Sequence, residues 1–390
     1  MTISLAESRV LIVDDNEFNR KSLALLIRRS GVQHVEFAVD GLDGLAKIET
    51  FHPDLVLLDV DMPNLDGLEM CRRLRRDPRH TELPILFQTA LDSDDEQVNC
   101  FNAGGNDFIS KPIKPGECIA RVRHQLERRK LFVDLNAFRD RVEKELRHAQ
   151  AMQFSLLPES RRIAAVEERY GLSIGSHFET SSELGGDIWH IIELDDFNVG
   201  FLIVDFAGHG ITAAINTFRF HTLVERTPPI NMNPAQWLEM LNLALKDVLP
   251  TGQFATAFYG VLNTQTNMLT YAAAGAPNPV LGIGQQLDLL DSAGFLLGMT
   301  RRAKYDIIET PWPPGGFLFL YSDALIESPD AQGNTIGQTG IADLVAEVVR
   351  DAPHAPVSET LNRFFANGVS RPLRDDLTLV WIGRNSKINS

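Results

Sequence analysis

Short apolar runs alternate with amphipathic segments from Arg9 to about Arg129. Four of the runs have the length and apolar content of buried strands, namely 10–13, 57–60, 85–88 and 107–109. Segments 16–30 and 68–76 predict helices between them, and Gly31 ends the first helix. Strands that alternate with helices predict an α/β fold with a doubly wound parallel sheet.

One long helix is predicted next, because Gly and Pro almost disappear between Pro115 and about Gln153. Its apolar residues recur every three or four positions, with dense charge on the other faces; they are Leu131, Leu135, Phe138, Val142, Leu146 and Ala149. This stripe favours a coiled-coil linker that forms a homodimer, although a helix packed on its own domain has the same pattern. We expect the final turn, Gln153 to Leu157, to pack beside a strand carrying Asp187 or Asp205.

The remainder of the chain, from about Tyr170, is rich in short strands. Strands are predicted at 172–178, 200–204, 256–262, 269–273, 317–321 and 377–382. Helices are predicted at 211–224, 234–248 and 341–349. The chain is therefore predicted to comprise a first domain over 1–125, a helical linker over 126–158 and a second α/β domain over 159–390.

Charge and composition exclude several classes of function. Acidic residues outnumber basic ones by 52 to 37, which gives a net charge of −15, and a chain this acidic is a poor general nucleic-acid binder. No helix-turn-helix pattern follows the first domain, no apolar run reaches the ~18 residues that span a bilayer, and the N-terminus lacks a secretory pattern. The three cysteines lack metal-ligand spacing. These features predict a cytoplasmic protein with no nucleic-acid or membrane partner.

Polar residues end the predicted strands of the first domain, at the sheet edge where open α/β sheets bind ligands. Successive strands end in Asp14 and Asp15, in Asp59, in Thr89 and in Lys111. Acids beside a hydroxyl group and a lysine predict a phosphorylatable aspartate site with Asp59 as the phosphoacceptor. Thr89 and Lys111 are then expected to bind the phosphoryl oxygens.

This arrangement resembles the CheY-like receiver domain of response regulators over roughly the first 125 residues. A Mg²⁺ ion held by Asp14, Asp15, Asp59 and the carbonyl of Asp61 is expected to neutralise the incoming phosphoryl group. Phe108 occupies the position of the receivers' aromatic switch residue, and a core aromatic is the alternative interpretation. The resemblance implies a cognate histidine kinase as partner.

Four more aspartates lie at strand ends or beside glycine in the second half of the chain. They occur in the motifs Gly185-Gly186-Asp187, Val204-Asp205-Phe206-Ala207-Gly208, Tyr321-Ser322-Asp323 and Arg374-Asp375-Asp376. Carboxylates gathered from separate strands stay ionised only if cations neutralise them. Oxygen ligands select Mg²⁺ or Mn²⁺, and two such ions can activate a water and clamp a phosphate ester.

The order of these motifs resembles the SpoIIE/RsbU branch of the metal-dependent Ser/Thr protein phosphatases (PPM family) over about 150–385. Further segments resemble the family's first helix and its later blocks, namely 153–158, 256–260, 274–279 and 297–298. The resemblance implies an α/β domain with a β-sandwich flanked by helices. It also implies that Asp187 and Asp205 bridge two Mn²⁺ or Mg²⁺ ions, that the Phe206 carbonyl adds a ligand, and that Asp323 and Asp375 complete the sites.

The sequence departs from the family pattern at three places. His190 stands near the position of a second aspartate, Ala324 stands where glycine is common, and Ala276 stands where histidine is usual. None of these changes removes a metal carboxylate. His209 is a candidate acid for the leaving serine oxygen, and a polar loop residue at a helix start is the alternative.

The two resemblances together imply a response regulator in which phosphorylation of Asp59 controls a protein serine/threonine phosphatase. In this family the substrate is usually a phosphorylated anti-sigma-factor antagonist in a partner-switching pathway. The alternative is an adaptor of the same fold that binds a sigma factor or another regulatory protein without catalysis. Such adaptors lack the metal aspartates, whereas all four remain in this chain.

Overall fold

The computed structural model describes residues 5–90, 94–208 and 210–386. The chain forms two compact units, Met1–Val142 and Glu143–Ser390. Their boundary lies inside one continuous helix, Pro115–Phe154. No helix in the described ranges is long and apolar enough to cross a membrane.

The first unit is built on a five-stranded parallel sheet. Its strands β1 to β5 are Arg9–Val13, His34–Ala38, Leu55–Asp59, Ile85–Thr89 and Asp107–Ser110. Its helices α1 to α5 are Glu17–Arg29, Gly41–Phe51, Gly67–Arg76, Asp94–Asn102 and Pro115–Phe154. The strand order β2-β1-β3-β4-β5, with apolar clusters on both faces of the sheet, confirms the predicted doubly wound fold.

Local sequence explains how the elements beside the strand ends begin. The Asn16 side chain accepts hydrogen bonds from the backbone N–H groups of Phe18 and Asn19 and so caps α1. Helix α3 begins at Gly67, where a Cβ atom would lie 2.0 Å from the carbonyl oxygen of Asp59. Only glycine allows the chain to return this close to the end of β3.

Helix α5 runs from Pro115 to Phe154, as the sequence predicted. Leu131, Leu135 and Phe138 are 61%, 64% and 55% exposed, while Val142 and Leu146 are half-buried. The first half of the predicted apolar stripe therefore faces solvent in the single chain.

The second unit contains two antiparallel five-stranded sheets. Strands β6 to β10 are Leu172–Glu179, Asp187–Glu193, Asn198–Phe206, Ala255–Asn263 and Met268–Ala274. Strands β11 to β15 are Val280–Ile283, Gln286–Leu289, Ile308–Pro311, Phe317–Tyr321 and Leu377–Arg384. Helices α6 to α11 are Ser160–Tyr170, Ile211–Arg226, Pro234–Val248, Ala324–Glu327, Gly337–Asp351 and Pro356–Ala366.

The two sheets form a sandwich with helices on its outer faces. The sheet orders are β13-β10-β9-β8-β7 and β12-β11-β14-β15-β6. One apolar cluster joins both sheets, including Phe201 and Val380. A second cluster packs α7 and α8 on the first sheet, and a third packs α9, α10 and α11 on the other. This confirms the predicted sandwich flanked by helices.

Two candidate carboxylate sites

The first candidate site lies at the carboxyl ends of β1 and β3. Carboxylate oxygens of Asp14, Asp15 and Asp59 lie within 4.8 Å of one another. Asp14 and Asp59 are buried, and Asp15 is exposed. Lys111 Nζ donates a hydrogen bond to Asp59 Oδ1 at 2.6 Å and lies 3.9 Å from Asp14 Oδ2. Three acids and one lysine from three different strand ends therefore meet at one edge of the sheet.

The electrostatics of this edge favour an additional cation. Burial raises the pKa of Asp59 to about 6, with the hydrogen bond from Lys111 opposing the rise and the charge of Asp14 adding to it. Asp14 Oδ2 is buried and accepts no hydrogen bond within the described residues. An oxygen-only ligand set with an unsatisfied carboxylate atom fits Mg²⁺.

The remaining predicted residues of the first site take different positions. The Thr89 hydroxyl, at the end of β4, donates to Glu96 Oε2 at 3.0 Å rather than to Asp59. Phe108 is half-buried and packs edge-to-face on Phe101, with ring centroids 6.0 Å apart. Asp61 is exposed in the loop after β3. The structure brings the acids and Lys111 together and holds Thr89 beside them through a bond to α4.

The second candidate site is organised by the neighbouring strands β7 and β8. Asp187 begins β7, Asp205 lies near the end of β8, and the two residues are direct partners in the antiparallel register. Asp323 follows β14, and Asp375 lies two residues before β15. The second sheet therefore supplies the other pair of acids.

The carboxylates of the second site repel one another. Burial raises the pKa of Asp187 well above its usual range, and the charges of Asp205 and Asp376 raise it further. Burial, then Asp323 and Asp375, raise the pKa of Asp205 in the same way. Burial and Asp375 raise the pKa of Asp323 to about 6. The charges of all four predicted aspartates are therefore coupled to one another.

Asp376 is a buried member of this group that sequence reasoning did not assign. Its carboxylate accepts hydrogen bonds from the backbone N–H groups of Ser181 and Gly186 and from the Ser181 hydroxyl. A Cβ atom at Gly185 would lie 2.6 Å from Asp376 Oδ2. Asp376 therefore orders the loop that leads to Asp187. The sequence feature that could have identified it is the pair of acids, Asp375 and Asp376, immediately before an apolar strand.

Two hydroxyl groups connect the strands that carry the acids. Thr378 Oγ1 donates to Asp187 Oδ2 at 2.6 Å. The Ser322 hydroxyl donates to the Asp376 carbonyl and accepts from the Thr378 N–H, both at 2.8 Å. Sequence reasoning missed both roles, because they depend on contacts between residues more than 50 positions apart.

Features of the second site bear on whether it could hold the implied pair of divalent cations. Asp187 Oδ1 is buried without a hydrogen-bond partner in the described part of the chain. A Cβ atom at Gly186 would lie 2.8 Å from the Phe206 carbonyl oxygen, so glycine leaves this carbonyl unobstructed beside the acids. In the described ranges no three acids of this second site converge within 4.8 Å. The unsatisfied oxygen and the shared charge fit hard divalent cations that occupy more than one position.

The end of α5 is attached to the loop before Asp187. Gln153 is 3% exposed; its Nε2 donates to the Gly185 carbonyl at 2.6 Å, and its Oε1 accepts from the Gly185 N–H at 3.0 Å. Nε2 also lies 3.2 Å from Thr217 Oγ1 on α7. The predicted packing of the final turn beside the strand that carries Asp187 is therefore confirmed.

The three departures from the family pattern lie at buried positions. Ala324 is buried at the start of α9, directly after Asp323. Ala276 is buried in the loop after β10. His190 is buried and stacks on His221, with ring centroids 5.2 Å apart. The predicted candidate acid at 209 lies outside the described residues.

Comparison with known families finds one match within each unit. The model of the response regulator receiver domain matches residues 10–123. The model of stage II sporulation protein E (SpoIIE) matches residues 195–385. The SiaA-PP2C domain of Pseudomonas aeruginosa has the same fold, with 21% identity, a TM-score of 0.56, and coverage of 63% of this chain and 98% of that one.

Curated relatives match through the first unit. The DNA-binding dual master transcriptional regulator RpaA of a Synechocystis strain is 33% identical over 154 residues, covering 39% of this chain and 59% of the relative. Response regulator MprA of Mycobacterium ulcerans is 44% identical over 126 residues, covering 32% and 53%. The chain thus spans little more than half the length of these relatives. The protein combines a response-regulator receiver domain with a SpoIIE-type domain of the PP2C phosphatase fold.

Proposed function

We propose that the protein is a response regulator in which Asp59 is the phosphoacceptor. Asp59 is buried at the edge of the sheet, beside Asp14, Asp15 and Lys111. Mg²⁺ held by Asp14, Asp15, Asp59 and the Asp61 carbonyl would neutralise an incoming phosphoryl group. Lys111 and Thr89 would then bind its oxygens, and Thr89 would exchange Glu96 for the phosphoryl group.

We infer that the second unit is a metal-dependent protein serine/threonine phosphatase. The observation that carries this proposal is the face-to-face pair Asp187 and Asp205 on β7 and β8, whose charges are shared with Asp323 and Asp375. Two Mn²⁺ or Mg²⁺ ions held by these carboxylates and the Phe206 carbonyl would supply Lewis acidity and an activated water. Thr378 fixes the orientation of Asp187 through the hydrogen bond to Oδ2.

The substrate and the partners follow from the family resemblance. A phosphoserine or phosphothreonine on an anti-sigma-factor antagonist is the proposed substrate, in a partner-switching pathway. A cognate histidine kinase is the proposed source of the phosphoryl group on Asp59. The open edge of the sandwich where Asp323 and Asp375 lie only half-buried suits a residue on a protein surface.

The long helix is the proposed route between the two activities. Leu131, Leu135 and Phe138 expose most of their surface in the single chain, and pairing with the same stripe of a second copy would remove it from water. At the other end, the Gln153 side chain is hydrogen-bonded to both the backbone N–H and the carbonyl of Gly185. A change in helix pairing would therefore reach the loop that precedes Asp187.

The deciding experiment measures Mn²⁺-dependent release of phosphate from a phosphoserine peptide by the full chain, with and without beryllofluoride. We expect hydrolysis that changes when beryllofluoride occupies the receiver, and no such change in Asp59→Asn. Hydrolysis that is identical in all four conditions would refute control by Asp59. A wild type that binds Mn²⁺ but hydrolyses no phosphopeptide or small phosphoester would instead support the adaptor alternative.

A further inference from the structure

A pocket with a volume of about 500 Å³ lies beside the turn that joins β7 to β8. Asp187 and Asp205 pair at the other end of these two strands, so the pocket is separate from the carboxylate site. Its walls come from the end of α6, from the β7–β8 and β9–β10 turns and from the end of β15; they include Tyr170, Asp196, Phe197, Gln265 and Arg384. The volume lies within the range of pockets that bind small organic ligands.

Arg384, in the wall of this pocket, is a buried cation without an acid partner. The residue is 6% exposed, and it forms no ion pair with any acid of the described residues. Burial lowers the pKa of Arg384, and no neighbouring carboxylate opposes this shift. Arginine is rarely buried unless it is paired. The wall of the pocket therefore holds a positive charge that no described acid compensates.

The guanidinium group of Arg384 has one unoccupied hydrogen-bonding edge. Nη1 donates to Asn267 Oδ1 at 2.8 Å and to the Trp312 carbonyl. Nε and Nη2 make no hydrogen bond within the described part of the chain, and neither nitrogen is closed off from solvent. Because Arg384 lines the pocket, this edge is accessible from it. The N–H groups of Nε and Nη2 point in the same direction and form the fork that binds both oxygens of a carboxylate.

Arg371 shows what such an edge binds in the same domain. Its Nε and Nη2 donate to the two carboxylate oxygens of Glu179. The two arginines therefore differ in one respect, since Glu179 occupies the edge of Arg371 whereas the edge of Arg384 opens into a pocket. A carboxylate from outside the chain is the group that matches the edge of Arg384 in both charge and shape.

We propose that this pocket binds a small organic carboxylate, whose two oxygens accept hydrogen bonds from Nε and Nη2 of Arg384. A carboxylate in this position would supply the negative charge that Arg384 lacks, through a charge-assisted pair of hydrogen bonds. Phe197, with 49% of its surface exposed, and Tyr170 line the same pocket and would contact the organic part of the ligand. Binding there does not depend on the proposed phosphatase activity.

The acids in the lining favour a monoanion over a dianion such as phosphate. They are Glu167, Glu168 and Asp196. Glu167 accepts a hydrogen bond from a backbone N–H group, Asp196 pairs with Arg169, and Glu168 is exposed. These acids therefore have other partners or lie in solvent, but their charges repel a dianion more strongly than a monoanion.

The test follows the Nε–H signal of Arg384 by NMR in the full chain labelled with ¹⁵N-arginine. Sodium acetate and sodium benzoate are the probes, acetamide and benzamide are their neutral analogues, and sodium chloride keeps the ionic strength constant. We expect saturable shifts of the Arg384 signal with the carboxylates and none with the amides. The Arg371 signal should stay in place, because Glu179 occupies its edge. The two signals are assigned through Arg384→Lys and Arg371→Lys.

Gln265→Glu and Thr266→Glu form a matched pair for the position of the site. Both side chains are exposed on the β9–β10 turn, but only Gln265 lines the pocket. Gln265→Glu should weaken benzoate binding about fivefold, because it adds a negative charge to the lining, and Thr266→Glu should bind as the wild type. An Arg384 signal that neither carboxylate moves, or that the amides or inorganic phosphate move as strongly, would overturn the proposal. Equal benzoate binding by the two variants would also overturn it.

Discussion

The two carboxylate sites balance their charge in different ways. In the receiver, Lys111 Nζ lies 2.6 Å from Asp59, so one fixed cation is built into the cluster. In the SpoIIE-type domain, five aspartates influence one another, and none of them forms an ion pair with a lysine or arginine of the described residues. If the sites bind metals as proposed, one divalent ion offsets the remaining charge of the receiver cluster, whereas the second cluster is neutralised by bound cations alone.

This difference predicts different responses to the loss of one acid. Removing an acid from the receiver leaves Lys111 in place. Removing one from the second site reduces repulsion in the metal-free protein but also removes a proposed metal ligand. Stability and activity should therefore change in opposite directions in the second domain, and the following predictions test this contrast.

The largest effect is expected from Asp205→Asn, which removes half of the carboxylate pair on β7 and β8. Turnover with Mn²⁺ should fall by roughly 10³-fold, because Lewis-acid stabilisation is worth several kcal/mol. Steady-state hydrolysis of a phosphopeptide measures the loss. Asp288→Asn, on the exposed β11–β12 hairpin, is the control and should be indistinguishable from wild type.

The same variant also tests the opposite change in stability. In EDTA, Asp205→Asn should raise the Tm of the second domain, since the buried charge of Asp205 is gone. A lower Tm in EDTA would show that the acid stabilises the metal-free fold and would break the contrast with the receiver.

The next effect concerns the helix between the sites. Phe138→Glu and Val142→Glu place charge on the stripe of α5, and each should weaken dimerisation by roughly 10²-fold, because burial of a large apolar side chain is worth about 2–3 kcal/mol. Sedimentation and phosphatase activity are measured on the same samples, with Asp59 labelling by acetyl phosphate. Labelling of Asp59 should be unchanged, but labelling should no longer alter phosphatase activity. Unaltered dimerisation in both variants would make the helix a passive tether.

A smaller effect is expected from Gln153→Ala. The substitution removes two hydrogen bonds to Gly185 and one to Thr217. The buried backbone groups of Gly185 then lack partners, which costs about 1–3 kcal/mol of stability. If the lost stability destabilises the metal-bound form of the loop before Asp187, Mn²⁺ affinity should fall about tenfold, as measured by the metal dependence of activity. The control is Met152→Ala, because this side chain is one position away on the same helix and is exposed. Equal Mn²⁺ affinity in both variants would contradict the connection.

The smallest effect is the pH dependence of the metal-free protein. The pKa of Asp323 is raised to about 6, so the folded state binds a proton that the unfolded chain binds only near the ordinary value of the carboxyl group. The contribution of Asp323 to stability therefore increases as the pH falls from about 7 to about 4. Compared with Asp323→Asn, the wild type in EDTA should gain roughly 3–5 °C in Tm across this range. Parallel curves of Tm against pH for the wild type and Asp323→Asn would contradict the raised pKa of Asp323.

Local patterns were sufficient to predict most of the elements. The strand Phe317–Tyr321 and the helix Pro234–Val248 were predicted with the bounds that the structure has. The helix predicted over 16–30 begins after its cap, Asn16, and ends before Ser30. The two helices are marked by their apolar period and by the capping residues Asn16 and Asn233, and the strand by its continuous apolar run, so no distant contact is needed to define these elements.

Some features that were not predicted depend on distant contacts. A strand carrying Asp187 was expected, but the bounds of β7 were not predicted, because its pairing with β8 cannot be recognised from a single segment. Asp376 bonds to Ser181, which lies 195 positions away. The hydrogen bond from the Thr89 hydroxyl to Glu96 was likewise not predicted. Sequence placed the acids at strand ends, whereas the loops that orient them required the folded chain.

The register of β7 and β8 also has a consequence for how the second domain folds. Asp187 and Asp205 are only 18 positions apart and meet when one hairpin closes, whereas Asp323 and Asp375 arrive with the other sheet. Local pairings of this kind tend to form early, because little chain entropy is lost in closing them. The folding chain therefore brings two like charges together before the rest of the sandwich exists. If this pair binds divalent cations as proposed, those cations should accelerate folding as well as stabilise its product.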